Sequence, residues 1–414
     1  MKLSEELQKR GFIYQSSHED IGVVLDEGKR TVYLGIDPTA TSIHVGNLVP
    51  YMLLTHLMNA GHKVILLIGG GTALVGDPGG KSDERPFVSK EQVAAQAKSM
   101  EAGVRKFVPE AVQFVNNYDW LSQLSMIEFL RDVGKHFTVN SMIKKDIVAN
   151  RLVADSSISY TEFSYSLLQS FDYHHLHVTC GCDLQIGGSD QWSNIIAGVD
   201  FIRRKTGTEV FGLTMPLVTD KATGKKFGKS EGNAIWLDAD ATSPYAFYQF
   251  WLNVSDENVH DYLKLFTFIP LDELEALAVA HAAHPSERTA QKRLAETVTT
   301  FVHGEETMKS VQRVSDILFG DAAVTSLSES EVAMLVENAP SFSVESDESL
   351  VDTLVRTELA SSKREARTFI ESGAVRLDGE KVTDLEYILD PARFSQPVVL
   401  LRRGKKQQCV LKVG

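Results

Sequence analysis

A chain of 414 residues exceeds what one hydrophobic core usually organises, so two or three domains are expected. Apolar residues at 43% and charged residues at 23% fit a globular chain and exclude a disordered or fibrous one. The net charge of −13 argues against bulk attraction to nucleic acid, and three cysteines (Cys180, Cys182, Cys409) argue against a disulfide framework and suit a reducing cytoplasm.

The charged, amphipathic start at residues 1–7 does not read as a signal peptide. Leu3, Leu7 and Phe12 are spaced to share one face of a helix over 3–12. Val32, Leu34 and Ile36 alternate, which predicts a strand over 31–36, and Asp37-Pro38-Thr39 breaks it. His44-Val45-Gly46-Asn47 then opens a helix over 48–60, closed by Gly61. The apolar, β-branched run 63–68 reads as a central parallel strand, and its continuation to 76 is too short and glycine-broken to span a membrane. Strand, helix, strand in this order is the unit of a doubly wound α/β sheet.

Helical patterning dominates 91–151, with a turn at 116–120, and another helix is expected over 161–171. A half-buried loop is expected around His174-His175-Leu176-His177 and Cys180-Gly181-Cys182, which lack the CxxC spacing of a zinc site, so no metal is assigned. Residues 210–218 read as a strand, and 221–230 as a glycine-punctuated basic loop. Residues 242–317 are helical by pattern, and the acidic, serine-rich stretch 320–350 reads as a linker or loose edge. The tail resumes with a helix capped by Ser361 or Ser362 and a hairpin about Asp378-Gly379. From residue 360 onward there are 11 Lys and Arg against 7 Asp and Glu, a balance of +4 that leaves −17 for the rest. A basic module on an acidic body suits local phosphate contact.

Two stretches carry chemistry together. A His/Gly/Asn turn at a helix start, just past a strand, is where an α/β sheet binds anions, although a capped helix with an exposed histidine is the blander reading. Lys226-Phe227-Gly228-Lys229-Ser230 sets two lysines and a hydroxyl on one loop, as needed to clamp a polyphosphate, although most lysine clusters are only solvated surface. Gly76-Asp77-Pro78-Gly79-Gly80-Lys81-Ser82 is one residue too short for a P-loop. Gly69-Gly70-Gly71 does not match a dinucleotide fingerprint.

The pair resembles the two signatures of class I aminoacyl-tRNA synthetases. With residues 33–40, Gly76-Asp77-Pro78, residues 165–169 and Gly187-Gly188-Ser189-Asp190-Gln191-Trp192, the chain resembles the bacterial tyrosyl-tRNA synthetase family along essentially its whole length. It departs at Asn47, where the first signature has a second histidine, and at Phe227-Gly228, where the general class has Met-Ser.

The resemblance implies a Rossmann-like doubly wound catalytic domain over 1–220 with a dimer-interface insertion around 117–185. It further implies an α-helical anticodon-binding domain with the signature loop over 221–320, a linker over 321–347, and a small α+β, S4-like RNA-binding domain over 348–414. The implied reaction joins L-tyrosine to tRNA(Tyr) through tyrosyl-adenylate, with ATP and Mg2+, in a cytoplasmic homodimer that has no structural metal and no membrane or DNA partner. Tyr33 and Asp172 would meet the phenol, Asp77, Tyr165 and Gln169 the α-ammonium group, and Gln191 would orient the activated amino acid. Gly35, Asp37, Thr39, His44, Gly46, Asn47, Gly188, Asp190 and Lys229 would line the ATP site. Thr39, His44, Lys81, Arg85, Lys226, Lys229 and Ser230 would act at the phosphates. Lys363, Arg364, Arg367, Arg402, Arg403, Lys405 and Lys406 would face RNA, although a solvated basic face is the commoner meaning of such a cluster.

Overall fold

The alternating run at 31–36 and the apolar run at 63–68 form paired parallel strands at the heart of a six-stranded sheet. In this computed structural model the sheet comprises β1 (Gln15–Ser16), β2 (Thr31–Ile36), β3 (Lys63–Ile68), β4 (Gln113–Asn116), β5 (Leu184–Gly188) and β6 (Phe211–Met215). Their spatial order is β1-β6-β5-β2-β3-β4. Strands β2 to β6 run parallel, and the two-residue β1 pairs antiparallel with β6. The chain winds from β2 through β3 to β4, then returns to β5 and β6 on the other side of β2. This reversal opens a crevice at the C-terminal ends of β2 and β5, where doubly wound sheets hold ligands. The structure describes residues 1–414 except 39–42, 78–87, 146–147, 150–151, 153–157, 220, 222–226, 228, 231–232, 321–323, 325–326, 345–347, 395, 405–406 and 414.

Two elements differ from the sequence pattern. Within the helical stretch 91–151, Gln113–Asn116 is instead a strand, because pairing with β3 satisfies backbone groups that the edge would otherwise leave open. The helix expected over 161–171 runs from Tyr160 to Cys180, so the histidine and cysteine stretch lies mainly on a helix rather than in a loop. A reciprocal cap between Ser159 and Glu162 starts it, and Gly181, at φ +65°, ends it. No breaker stands between them. Among the described residues no group of three His, Cys, Asp or Glu is placed to hold a metal ion, and no helix is long and apolar enough to cross a membrane.

The chain divides into two compact units, Met1–Ser243 with Phe250–Val298, and Pro244–Gln249 with Thr299–Gly414. In the first, Phe227 and Trp251 are buried among Phe250, Tyr262 and Phe266, with ring centroids 4.6–5.4 Å from Phe227. Beyond Phe227, the short strands β7 (Lys229–Ser230) and β8 (Asn233–Ala234) pair antiparallel.

In the second unit, a serine cap at Ser328 with Glu331 starts helix Glu329–Glu337, inside the stretch read as a linker. A sheet follows, built from β9 (Ser341–Ser343), β10 (Val375–Leu377), β11 (Glu380–Lys381), β12 (Val398–Arg403) and β13 (Gln407–Lys412). Its order is β11-β10-β12-β13-β9. Helices Leu350–Arg356 and Lys363–Glu371 share a core with it through Leu354, Ile370, Val399 and Leu401. Asp378 and Gly379 both take positive φ, as the tight β10–β11 turn requires.

The cap at Ser159 matters because helix Tyr160–Cys180 carries much of the candidate site. Ser159→Ala is expected to destabilise the first unit by about 1 kcal/mol, read as a lower urea midpoint at unchanged slope. An unchanged midpoint would show that the cap contributes nothing.

Candidate active site

The crevice holds a cavity of about 340 Å³, lined from β2, β5 and helix Tyr160–Cys180. Tyr33, Asp77, Tyr165, Gln169, Asp172 and Gln191, separate in sequence, all line it. So do Gly35, Asp37, Gly46, Asn47, Gly188 and Asp190. The structure thus lines one cavity with the residues that the resemblance implied for an amino acid and with six of those it implied for a nucleotide.

Asp172 lies at the buried end, 2% exposed. Asn117 Nδ2 donates to one carboxylate oxygen at 2.9 Å and Trp120 Nε1 to the other at 2.7 Å. Burial pushes the Asp172 carboxyl up to about 7, against the pull of those two donors. Tyr33, 1% exposed, has its hydroxyl buried with no hydrogen-bond partner. Burial, then the Asp172 charge, drives its phenol well above the usual range. A phenol with an unanswered hydroxyl therefore sits in the field of a buried carboxylate. Trp120 is fixed in turn by stacking on His175, centroids 4.4 Å apart.

A chain of hydrogen bonds runs across the cavity from this end. The Asn117 amide also donates to Thr72 Oγ1 at 2.9 Å, Thr72 donates to Asp37 at 2.7 Å, and the Tyr165 hydroxyl donates to Asp37 at 2.8 Å. The glycine run makes room for it: a Cβ on Gly69 would fall 2.0 Å from an Asp37 oxygen and 2.5 Å from Thr72 Oγ1. Gln191 Nε2 donates to Asp77 at 2.7 Å, and Gln169 Oε1 is buried with no partner. Asn117, Trp120 and Thr72 were not singled out by sequence. Nothing in the sequence places them beside Asp172, 52 or more positions away.

At the turn after β2, His44 Nδ1 accepts from the Gly46 N–H at 3.0 Å, so the neutral ring carries its proton on Nε2. A Cβ on Gly46 would sit 2.7 Å from the His44 ring and 2.9 Å from the Phe227 carbonyl, so the glycine is needed for a close approach. Main-chain bonds from Val45 to Ile235 and from Leu237 to Ile43, both 2.8 Å, tie the turn to the segment after the basic loop. With Phe227 buried in its aromatic nest, both flanks of that loop are fixed against the first unit. Asn47 is exposed and makes no side-chain cap on the helix it precedes. Thr39, Lys81, Arg85 and Lys226 lie outside the described residues, as do the side chains of Lys229 and Ser230.

In the tail, Arg364 and Arg367 are exposed on one helix, Lys363 pairs with Asp352 at 2.5 Å, and Arg403 lies over Phe369 at 4.6 Å. Arg402 is turned onto main-chain carbonyls, and Lys405 and Lys406 fall outside the described residues.

Residues 25–320 match the family model of class I tRNA synthetases for tryptophan and tyrosine, and residues 331–411 match the C-terminal domain model of SYY-like tyrosine–tRNA ligases. A tyrosine–tRNA ligase of Pediococcus pentosaceus is 47% identical over 423 residues, spanning 100% of both chains. One from Streptococcus mutans is 44% identical over 420 residues, with 99% of this chain and 100% of the relative covered. Among solved structures, a C-terminally truncated mitochondrial tyrosyl-tRNA synthetase of Aspergillus nidulans superposes with a TM-score of 0.70 at 31% identity. That match covers 77% of this chain and 94% of the other.

Because the folded Asp172 value lies above its unfolded one, the residue favours folding when protonated. That contribution is complete below pH 3.8 and lost as pH rises through about 7, so an ionised Asp172 at pH 8 costs the fold on the order of 4 kcal/mol. Trp120→Phe removes one of the two donors that oppose the shift. The pH at which acidification begins to stabilise the protein is expected to move upward, read from urea midpoints between pH 6 and 9. A profile matching the unmodified protein would show that the indole N–H does not bear on Asp172.

Proposed function

The chain belongs to the class I tRNA synthetases of the tryptophan and tyrosine type and is a tyrosine–tRNA ligase, and from that premise we propose which of its residues perform the reaction. The single observation that carries the assignment is that this cavity is lined by buried, unanswered polar atoms, among them, beside Gln185 Oε1, the Tyr33 hydroxyl and Gln169 Oε1. Leaving such groups buried and unpaired costs a fold about 1–3 kcal/mol each, so a ligand that answers both is favoured. Tyrosine answers both. Its phenol donates to the Asp172 carboxylate and accepts from Tyr33, and its ammonium group donates to Gln169 Oε1, Asp77 and the Tyr165 oxygen. Gln191, bonded to Asp77, orients the carboxylate toward ATP.

ATP lies along Gly35, Asp37, Gly46, Asn47, Gly188 and Asp190, with its phosphates toward Thr39, His44 Nε2–H and the Lys226–Ser230 loop. The tyrosine carboxylate attacks the α-phosphate in line, giving tyrosyl-adenylate and pyrophosphate. The 3′-terminal adenosine of tRNA then attacks the mixed anhydride. Lys81, Arg85, Lys226 and Lys229 stabilise charge on the departing pyrophosphate, and no protein base is needed in the first step. Mg2+ bound with ATP would supply further charge neutralisation, and no residue of this chain is assigned to it.

The protein acts as a cytoplasmic homodimer, sharing one tRNA between the catalytic half of one subunit and the tail of the other. Support for the interface comes from the segment 126–160. There Met126 (73% exposed), Ile127 (67%), Val139 (60%) and Tyr160 (73%) are turned to solvent, and apolar side chains that a partner subunit would cover are what an interface offers.

Three measurements test this reading. Pyrophosphate–ATP exchange is expected with tyrosine and not with tryptophan, and Lys229→Ala should slow it while leaving tyrosine binding intact. Loss of tyrosine binding in that variant would displace the loop from the phosphates. A phenol that donates to Asp172 prefers the ionised form, so tyrosine affinity should be full above pH 7 and fall as pH drops below about 7. Calorimetry between pH 5.5 and 8.5 reads this, and a flat profile would separate Asp172 from the phenol. Paired substitutions Ile127→Asp and Val139→Asp should give monomers in sedimentation velocity, and persistent dimers would place the interface elsewhere.

A further inference from the structure

Arg402 stands in the basic tail, yet its guanidinium is turned inward. It donates to the carbonyl of Gly320 at 2.6 Å and to that of Ile317. Gln408, its cross-strand partner on β13, donates to the carbonyl of Leu318. These three oxygens close helix Glu305–Phe319, at the end where carbonyls have no donor within the helix. A guanidinium there also meets the negative pole of the helix dipole. Arg403, one position on, emerges on the opposite face of the strand over Phe369. Phe369 belongs to helix Lys363–Glu371, which carries Arg364 and Arg367 on exposed positions. Two adjacent arginines are thus divided: one joins the basic helix, and the other fastens the sheet to a helix more than 80 positions earlier.

We propose that Arg402 and Gln408 are positioning residues for the tRNA step. They hold the tail sheet on the end of helix Glu305–Phe319 and present the basic helix Lys363–Glu371 to RNA in one orientation, without touching RNA themselves. The proposal rests on the tail being an RNA-binding surface. Its physical reason is preorganisation. A tail tethered only through residues 320–350 would lose its orientational freedom on each binding event, and a joint made in the free protein removes most of that cost.

The test uses the full-length protein with Arg402→Ala, Arg402→Lys and Gln408→Ala. Losing a charge-assisted contact should raise KM for tRNA about tenfold in Arg402→Ala with kcat retained. Gln408→Ala should show a smaller rise and native tyrosine-dependent exchange, and Arg402→Lys should recover part of the loss. The salt dependence of tRNA binding should keep its slope in all three. Without RNA, protease cleavage within 320–350 should accelerate in Arg402→Ala and Gln408→Ala. A salt slope reduced by about one, with native cleavage, would make Arg402 a direct phosphate contact and overturn the proposal. Native KM with native cleavage would show the joint to be idle. Faster cleavage with native KM would leave the joint standing and remove the tail's role in RNA binding.

Discussion

The candidate site depends on one buried carboxylate being kept where water cannot reach it. Among the described residues Asp172 hydrogen-bonds to no cation. It is held by an amide and an indole, two neutral donors that fix its orientation without neutralising its charge. A salt bridge at this point would spend the carboxylate on a protein cation. Neutral donors leave spare lone pairs on both oxygens and keep their field directed at the Tyr33 hydroxyl. The cost appears as the raised Asp172 pKa, a strain the fold tolerates because helix Tyr160–Cys180 is capped at both ends and packed on the sheet.

The remaining architecture serves that arrangement. Asn117 reaches Asp172 because β4 ends beside β3, and it touches Thr72 because Gly69, Gly70 and Gly71 let side chains approach the backbone. The same network ends on Asp37, at the C-terminal end of β2, and so links the Asp172 end of the cavity to the strand that leads into the His44 turn. On the far side of that turn the described flanks of the basic loop are both anchored. Phe227 anchors one flank in an aromatic nest, and residues 235–237 join the other to the His44 turn. The phenylalanine that departs from the general class signature is an apolar anchor in this fold.

Strands β2 and β3 and the helix between them were legible because hydrophobic period and breaker residues agree there. The tail hairpin was legible from Asp378-Gly379. β4 was not, because four residues with two apolar side chains carry no period, and its conformation is imposed by pairing with β3. The histidine-rich helix end was misread because His and Cys spacing drew attention to metal chemistry, whereas the backbone signal lay in Ser159, Glu162 and Gly181. Of the cavity residues, those in recognisable motifs, such as Tyr33, Asp77 and Gln191, were found. Asn117 and Trp120 were not, since their role exists only through a contact across more than 50 positions. Arg402 shows the converse: residue type suggested an RNA contact, and the structure turns the side chain onto a helix end.

We propose that Asp172, aimed by Asn117 and Trp120, recognises the substrate's phenol. The most direct measurement is the ratio of kcat/KM for tyrosine over phenylalanine in pyrophosphate–ATP exchange, compared between the unmodified protein and Asp172→Ala. Using a ratio cancels any general loss of folded enzyme. If a charge-assisted bond to the phenol sets selectivity, the ratio should fall by about 10- to 100-fold. An unchanged ratio would mean that the carboxylate is a structural feature of the cavity and that another group reads the phenol.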